Sequence, residues 1–318
     1  MNNFKQRDEI YIHRLSSFFY DEGELEIRKI TPVKKHVFYI ETGSEAAFIL
    51  KRHQKRDRIE QQWCFFERMQ KMLFVPFRKY PNGKKFLVDG NDYWTIAPFI
   101  KGRKLHYKNE EDRKTAVETL HHFHNKAKHI YVSRPIKKDL FLVRWEDRLN
   151  TFKKTAFLFK DNGFEMLYKD ILQTMALHLQ LATRLSWEKD EKEARLKGEW
   201  VHGDVASHNF IQNEQTFMID FDLLRCGSQL YDYIQLGQRF LPHINWDIGD
   251  LLAYEMVSER DVRKWLSAII IPSDVIREWL FFLSQGSSPV KQYLSQMEKT
   301  WSKRQFFLKN AKSMLKSI

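Results

Sequence analysis

The sequence predicts an α+β fold in which a small β-rich region precedes a larger and mostly helical one. Short runs of β-forming residues, separated by turn residues, fill most of the first hundred positions. From Gly102 onward the apolar residues recur mainly at helical spacing. A chain of 318 residues also suits two units better than one. We therefore predict two domains, over residues 1–100 and 101–318.

The first region is predicted to begin with a short amphipathic helix over residues 8–20 and to continue as a three-stranded meander. The strands of the meander are Glu24–Ile30, Val37–Ile40 and Ala46–Lys51. Residues 57–72 carry apolar side chains at intervals of three and four, which is typical of a helix lying on that sheet.

Two hairpin turns follow this helix, at Pro81-Asn82-Gly83 and at Asp89-Gly90-Asn91-Asp92. The β-rich runs that flank these turns are Phe77–Tyr80, Lys84–Val88 and Tyr93–Ile100. The predicted order over the first hundred residues is therefore strand, strand, strand, helix, strand, strand.

The second region is predicted to be helical except for a small β-like patch at 200–221. Its helices are predicted near 110–128, 139–160, 163–186, 246–258 and 290–316. The charged run 188–193 lies between two apolar segments, and we interpret it as a solvated surface connection.

Composition restricts the class of protein. The chain has 53 Lys and Arg against 41 Asp and Glu, and the net charge of +12 favours anionic partners such as nucleotides or phosphosugars. Nucleic acid is not the expected partner, because no nucleic-acid-binding fold is recognisable.

Cys64 and Cys226 stand far apart and indicate neither a disulfide framework nor a cysteine zinc site. Without a signal-peptide pattern or a transmembrane segment, a cytoplasmic location is expected.

Three side chains between Trp200 and Tyr233 have a spacing that suits phosphoryl transfer. Asn209 follows Asp204 by five positions, and Asp220 follows Asn209 by eleven, after an apolar run. In kinases a loop Asp takes the acceptor hydroxyl proton, an Asn binds Mg²⁺, and an Asp at a strand end bridges metal and phosphates. The pattern assigns the first role to Asp204 and metal binding to Asn209 and Asp220.

These residues resemble the family of aminoglycoside phosphotransferases and choline kinases, whose motif is H-G-D-x-x-x-x-N followed by I-D-F-[DE]. The chain carries it as His202–Asn209 and Ile219–Asp222. The resemblance implies a protein-kinase-like fold of two lobes, with ATP and Mg²⁺ as cofactors and a hydroxyl-bearing acceptor. It also implies supporting roles for His202, Asp222 and Asp232, the last bracing the catalytic loop.

Protein kinases would have Arg at position 203 and Lys at 206, where this chain has Gly203 and Ala206. A small molecule or glycan is therefore the expected acceptor, bound by helices after Gly102 and beyond Asp232. Segments such as Arg144–Leu149 further resemble spore-coat-associated kinase-like proteins of the CotS and YutH type. That resemblance implies deposition in a spore coat and coat proteins as partners.

The nucleotide-binding residues are predicted in the first region. Alternation along the third strand places Lys51 on the face that would cover a nucleotide, where it would bind the phosphates. Its carboxylate partner is predicted on the following helix, with Glu67 preferred to Glu60. The run Ile96–Gly102 takes the position of the hinge between lobes, where backbone groups of Pro98 and Ile100 would bind adenine.

The segment 31–36, predicted as the loop between the first two strands, contains no glycine. A loop that closes over phosphates usually exploits the conformational freedom of glycine. Lys34 and Lys35 would instead contact the phosphates with their side chains, or the loop no longer binds nucleotide. Two hypotheses follow, an active small-molecule phosphotransferase and a catalytically weak or inactive structural protein of the spore coat.

Overall fold

The computed structural model describes residues 14–43, 46–69, 74–286 and 289–317. Within them the chain separates into two compact units. The first contains Met1–Lys104, Ile130–Ile136 and Asn209–Asp222, and the second contains Leu105–His129, Lys137–His208 and Leu223–Ile318. The β-rich first unit and the mostly helical second unit give the predicted α+β class.

An antiparallel sheet forms the centre of the first unit. Its strands are β1 (Ile27–Lys34), β2 (Val37–Thr42), β3 (Ala47–His53), β4 (Leu87–Asp89) and β5 (Asp92–Pro98). They lie in the order β1-β2-β3-β5-β4. The prediction of a hairpin at Asp89–Asp92 is confirmed, because these two residues pair across the turn and Gly90 has a φ of 59°.

Two helices accompany the sheet. Residues 14–23 are helical and form α1, whereas the predicted helical residues 8–13 lie outside the described part of the chain. Phe19 of α1 is fully buried, and its ring packs edge-on against Trp94 with 5.2 Å between ring centroids. The second helix, α2 (Arg56–Arg68), ends earlier than predicted, and residues 70–73 are not described.

The predicted loop at 31–36 is wrong. β1 continues to Lys34, so that only Lys35 and His36 form the turn, and His36 has a φ of 66°. Pro32 weakened the strand signal, yet it pairs with Phe38 because β1 lies at the edge of the sheet, where a missing N–H is tolerated. The predicted strand at 77–80 is reduced to one bridge between Arg78 and Ile96.

Each unit also contains a small sheet of short strands. In the first, β6 (Arg103–Lys104) pairs with β8 (Phe210–Gln212), which pairs in turn with β9 (Thr216–Met218). In the second, β7 (Trp200–Val201) pairs with β10 (Arg225–Cys226).

The second unit is otherwise helical. Its helices are α3 (Glu110–Lys126), α4 (Phe141–Lys153), α5 (Ala156–Asp161), α6 (Glu165–Ala182), α7 (Trp187–Leu196), α8 (Leu230–Phe240), α9 (Ile248–Leu252), α10 (Glu259–Ile269), α11 (Ser273–Gln285) and α12 (Val290–Ser317). The predicted helix at 139–160 is two helices, separated near Thr155, whose hydroxyl accepts a hydrogen bond from Trp279 Nε1. In the described part of the chain, no helix is long and apolar enough to cross a membrane.

The charged run 188–193 is also not the surface connection that its composition predicts. It lies in α7, and Glu191 on its inner face is buried and 3.2 Å from Arg225. Asp190 of the same run is partly buried and lies 2.6 Å from Lys264, so two charges of the run have partners from distant parts of the sequence.

Candidate functional site

Lys51 lies at the centre of a cluster of charged side chains in the first unit. It follows the fully buried Leu50 on β3, so its side chain leaves the opposite face of the sheet. Its Nζ lies 2.6 Å from Asp220 Oδ1 and 2.6 Å from Asp222 Oδ2. The side chain of Lys51 is 17% exposed. One partly buried cation therefore joins the two carboxylates of the I-D-F-D motif.

The two carboxylates also decide the protonation of the cluster. Burial alone would lower the pKa of Lys51, but the charges of Asp222 and Asp220 outweigh burial and raise it. Nearby, burial lowers the pKa of His53 to about 4, although the two carboxylates oppose that effect. At neutral pH the cluster therefore contains a protonated lysine beside a neutral histidine.

A hairpin brings Asn209 and Asp220 together. Asn209 precedes β8 and Asp220 follows β9, and the pairing of Phe210 with Met218 aligns the two ends. The Ile219 N–H donates to the Asn209 carbonyl over 3.0 Å. Asp220 itself has a φ of 64°, a left-handed conformation that Asp tolerates better than most residues.

Lys34 and Lys35 take different positions at the end of the first hairpin. Lys34 Nζ lies 3.4 Å from Asp220 Oδ2, although the side chain of Lys34 is 59% exposed. Lys35 lies in the exposed turn. Arg52 Nε donates to His36 Nδ1 over 2.9 Å, which fixes the turn against β3. One of the two predicted phosphate-binding lysines therefore reaches the Asp220 cluster.

Glu67 was predicted as the partner of Lys51, but the structure does not place it there, because of its position on α2. Glu67 lies 2.6 Å from Lys85, and the alternative Glu60 pairs with Arg56 on its own helix. The buried stripe of α2 includes Ile59, Trp63 and Phe66. Positions 60 and 67 each follow a buried residue by one and share the solvent side of the helix.

The predicted hinge residues lie at the end of β5. Pro98 pairs with Phe48, and the Phe99 N–H donates to the Ala47 carbonyl over 3.0 Å, so the backbone remains attached to β3 up to residue 99. Ile100 follows β5, and Lys101 and Gly102 separate it from β6.

In the second unit, Asp232 holds the backbone of the loop that carries Asp204. Asp232 is fully buried and accepts hydrogen bonds from the His202 N–H over 2.8 Å and the Gly203 N–H over 2.9 Å. His124 Nε2 lies 3.0 Å from the same carboxylate. Burial would raise the pKa of Asp232, but these partners outweigh it and lower the pKa, so the group stays ionised.

Asp204 forms an ion pair with Arg239 from α8. Arg239 Nη2 donates to Asp204 Oδ1 over 2.9 Å, and the Asp204 side chain is 34% exposed. Tyr107 supports the next residue by donating its hydroxyl to the Val205 carbonyl over 2.8 Å. The first turn of α8 thus braces the loop through Asp232, and its last turn holds the Asp204 carboxylate.

Arg239 is a functional candidate that sequence reasoning did not find. Its signal is a polar stripe on an otherwise buried helix, since Asp232, Gln235 and Arg239 recur at intervals of three and four. Gln235 Nε2 also donates to the Gly203 carbonyl, over 3.1 Å. All three side chains of the stripe contact the loop at 202–204.

The fold resembles that of solved phosphotransferase and kinase structures. An aminoglycoside phosphotransferase from Alicyclobacillus acidocaldarius is 16% identical, over 94% of this chain and 95% of that chain, with a TM-score of 0.69. An amicoumacin kinase in complex with AMP-PNP and Ca²⁺ is 12% identical, over 98% and 96%, with a TM-score of 0.60. A spectinomycin phosphotransferase with ADP is 11% identical, over 94% and 93%, with a TM-score of 0.59. The chain therefore has the kinase-like fold.

The family of the chain follows from its sequence. The model of the phosphotransferase enzyme family matches residues 29–266, which is most of the chain, and the protein belongs to that family. A search of curated protein sequences found no significant match.

Proposed function

We propose that the protein is an ATP-dependent phosphotransferase that transfers the γ-phosphoryl group to a hydroxyl of a small molecule or glycan. The observation that carries the proposal is the cluster in which Lys51 lies 2.6 Å from Asp220, beside the hairpin end that carries Asn209. Membership of the phosphotransferase enzyme family supports it. Solved kinases of the same fold, in complex with ADP or AMP-PNP, support ATP as the phosphoryl donor.

The donor set fits a magnesium ion held together with nucleotide phosphates. Asp220 and Asn209 offer oxygen ligands, which Mg²⁺ prefers, and Mg²⁺ commonly binds through one or two carboxylates plus phosphates and water. Within the described residues, no group of three or more His, Cys, Asp or Glu forms a metal cage, which agrees with that mode. When bound, Mg²⁺ would supply positive charge that offsets the charge on the transferring group.

The remaining side chains of the first unit would bind the nucleotide. Lys51 would orient the α- and β-phosphates. Lys34, at the end of β1, and Lys35, in the turn that follows, would contact phosphate oxygens. Backbone groups of Pro98 and Ile100 would bind adenine. Glu67, which pairs with Lys85, has no role in this proposal. We assign nucleotide binding to residues 1–100 and acceptor binding to 101–318.

Asp204 would act as the general base of the second unit. It would accept the proton of the acceptor hydroxyl while the hydroxyl oxygen bonds to the γ-phosphorus. The bond from that phosphorus to the bridging β-phosphate oxygen breaks, and ADP leaves. Arg239 would be a positioning residue, because it orients the Asp204 carboxylate through Oδ1. Asp232 and His202 would support the loop that carries the base.

The resemblance of Pro32–Lys35, Leu120–Ala127 and Arg144–Leu149 to spore-coat proteins extends the proposal to a location in a spore coat, with coat proteins as partners. Detection of the protein in extracted spore coats would test this.

The second candidate function is an inactive structural protein of that coat. The turn at Lys35 and His36 favours it, because the turn contains no glycine that would let the backbone approach phosphates.

Calorimetric titration with Mg-ATP distinguishes the two functions. We expect the wild-type chain to bind and Asp220→Asn to lose at least about tenfold in affinity, because a charged metal ligand is removed. Asparagine also tolerates the left-handed φ at this position, so the variant should fold. Asp89→Asn, an equal charge change at the β4–β5 turn, should bind as the wild type does. Absence of Mg-ATP binding by the wild type would contradict the phosphotransferase function and leave the structural one.

A further inference from the structure

A cavity of about 620 Å³ lies in the second unit beside the loop that carries Asp204. Its wall includes Ala206, Ser207 and His208 from that loop and Arg239, the partner of Asp204. Lys108 and, from α11, Arg277 complete the positively charged part of the lining. The volume is in the range of sites for small molecules. Its position beside the general base makes it the candidate acceptor site.

The charges of the cavity do not cancel. Arg239, Arg277 and Lys108 face two carboxylates of α11, Asp274 and Glu278. Asp274 Oδ2 is already bound to Arg304, a buried residue of α12 at 2.7 Å that does not line the cavity. Arg277 Nη2 lies 2.8 Å from Glu278 Oε1, and Arg239 is paired with Asp204. With these partners counted, the cavity retains an excess of one positive charge, that of Lys108.

The arginines are close enough to repel one another. Burial and then the charge of Arg277 lower the pKa of Arg239. Burial and the charges of Arg277 and Arg144 also lower the pKa of Arg148, which lies on α4 and donates to the Ser273 hydroxyl of α11. An anion bound in the cavity would relieve this repulsion.

We propose that the acceptor substrate is an anionic hydroxyl compound, such as a sugar bearing a phosphate or a carboxylate, bound by Arg277, Arg239 and Lys108. The identification rests on the proposed function, since it names the molecule whose hydroxyl Asp204 would deprotonate. Guanidinium groups bind phosphate and carboxylate oxygens through paired hydrogen bonds, and an amino sugar would be repelled by the same charges.

Titration of the full chain with four hexose derivatives, without nucleotide, tests the proposal. The probes are a hexose monophosphate, a hexuronate, the neutral hexose and a hexosamine. We expect the two anions to bind, more weakly as salt is added, and the neutral hexose and hexosamine to bind at least about tenfold more weakly. The order of the phosphate and the carboxylate identifies which anion the site prefers. Equal or tighter binding of the neutral or cationic sugar would overturn the proposal, as would no binding of either anion.

Variants of Arg277 connect any binding to this cavity. Arg277→Gln should weaken anion binding by about tenfold, because one charged hydrogen-bond donor is lost, and Arg277→Glu should weaken it further. Arg260→Gln, in an 88% exposed side chain of the same unit, is the matched control and should bind as the wild type does. Thermal unfolding confirms that each variant is folded. Anion affinity that Arg277→Gln and Arg277→Glu leave unchanged would mean adventitious anion binding only.

The failure of this inference can be distinguished from the failure of the proposed function. If Mg-ATP binds and the anionic sugars do not, the phosphotransferase remains and the anionic acceptor is wrong. If the anionic sugars bind through Arg277 and Mg-ATP does not, the anion site remains and the phosphotransferase is wrong.

Discussion

At the scale of single residues, Gly203 shows why the loop immediately before Asp204 contains glycine. Its φ of 85° lies in the left-handed region, and an added Cβ would be 2.5 Å from the Leu223 carbonyl oxygen. Backbone cannot move aside as a flexible side chain would. Glycine at this position is therefore required by conformation and by space, in addition to marking the difference from protein kinases.

We predict that Gly203→Ala destabilises the protein more than Gly163→Ala does. Gly163 has nearly the same φ of 83° but has open space where a Cβ would lie. Gly163→Ala should cost about 1 kcal/mol of left-handed strain, whereas Gly203→Ala adds the steric clash and should cost at least ~2 kcal/mol more. Denaturant unfolding measures both variants. Equal losses would show that the loop moves to accommodate the methyl group.

At the scale of elements, α7 depends on one buried ion pair among many exposed charges. Glu191 and Arg225 have side chains that are 7% and 3% exposed, and the Arg225 guanidinium also lies 5.1 Å from the centre of the Tyr231 ring. Glu193, two residues further on, pairs only loosely with Lys189 and Lys197 at 3.9 and 3.8 Å. Two glutamates of the same helix should therefore contribute differently to the free energy of unfolding.

Glu191→Gln and Glu193→Gln provide the matched test on α7. Glu191→Gln leaves the buried charge of Arg225 without its counter-ion and should lower the free energy of unfolding by roughly 3 kcal/mol. Glu193→Gln, in a side chain that is 45% exposed, should change it by less than about 1 kcal/mol. Chemical denaturation followed by circular dichroism gives both values. A loss for Glu191→Gln as small as that for Glu193→Gln would contradict the importance of the buried pair.

At the scale of the whole molecule, both units contain a histidine that the fold keeps neutral. Burial lowers the pKa of His53 in the first unit and of His178 in the second to about 4, from 6.5. His178 belongs to the buried stripe of α6 with Ile171, Met175 and Ala182, and neither ring nitrogen has a partner within the described residues. As the pH falls from about 6.5 to about 4, the unfolded chain binds protons that the folded chain does not.

Acid should therefore begin to destabilise the protein at a higher pH than the one at which most carboxylates titrate. The loss occurs between about pH 6.5 and pH 4, and His178 alone contributes up to ~3 kcal/mol of it. His178→Leu should flatten the pH dependence in that window and raise stability at pH 5, because a buried unpaired polar ring is replaced by an apolar side chain. Thermal unfolding at a series of pH values measures this. An unchanged slope in the variant would rule out His178 as a source of the acid sensitivity.

The sequence predicted the parts of the fold that depend on local pattern. Alternation and turn residues identified β3 and the β4–β5 hairpin, and periodicity identified α2, α3, α6 and α12. The predictions were wrong where the surrounding fold outweighed the local sequence pattern. Pro32 concealed the end of β1, because an edge strand tolerates proline, and Thr155 divided the helix predicted at 139–160.

By itself, the sequence determined the α+β class, the family resemblance and the set of candidate residues Lys51, Asp204, Asn209 and Asp220, because spacing and periodicity are properties of the chain alone. Only the tertiary structure decided which side chains meet. It placed Asp220 and Asp222, not Glu67, beside Lys51, and it brought Arg239 to Asp204. These partners come from different elements, so their contacts depend on packing and on charge burial that no local pattern encodes.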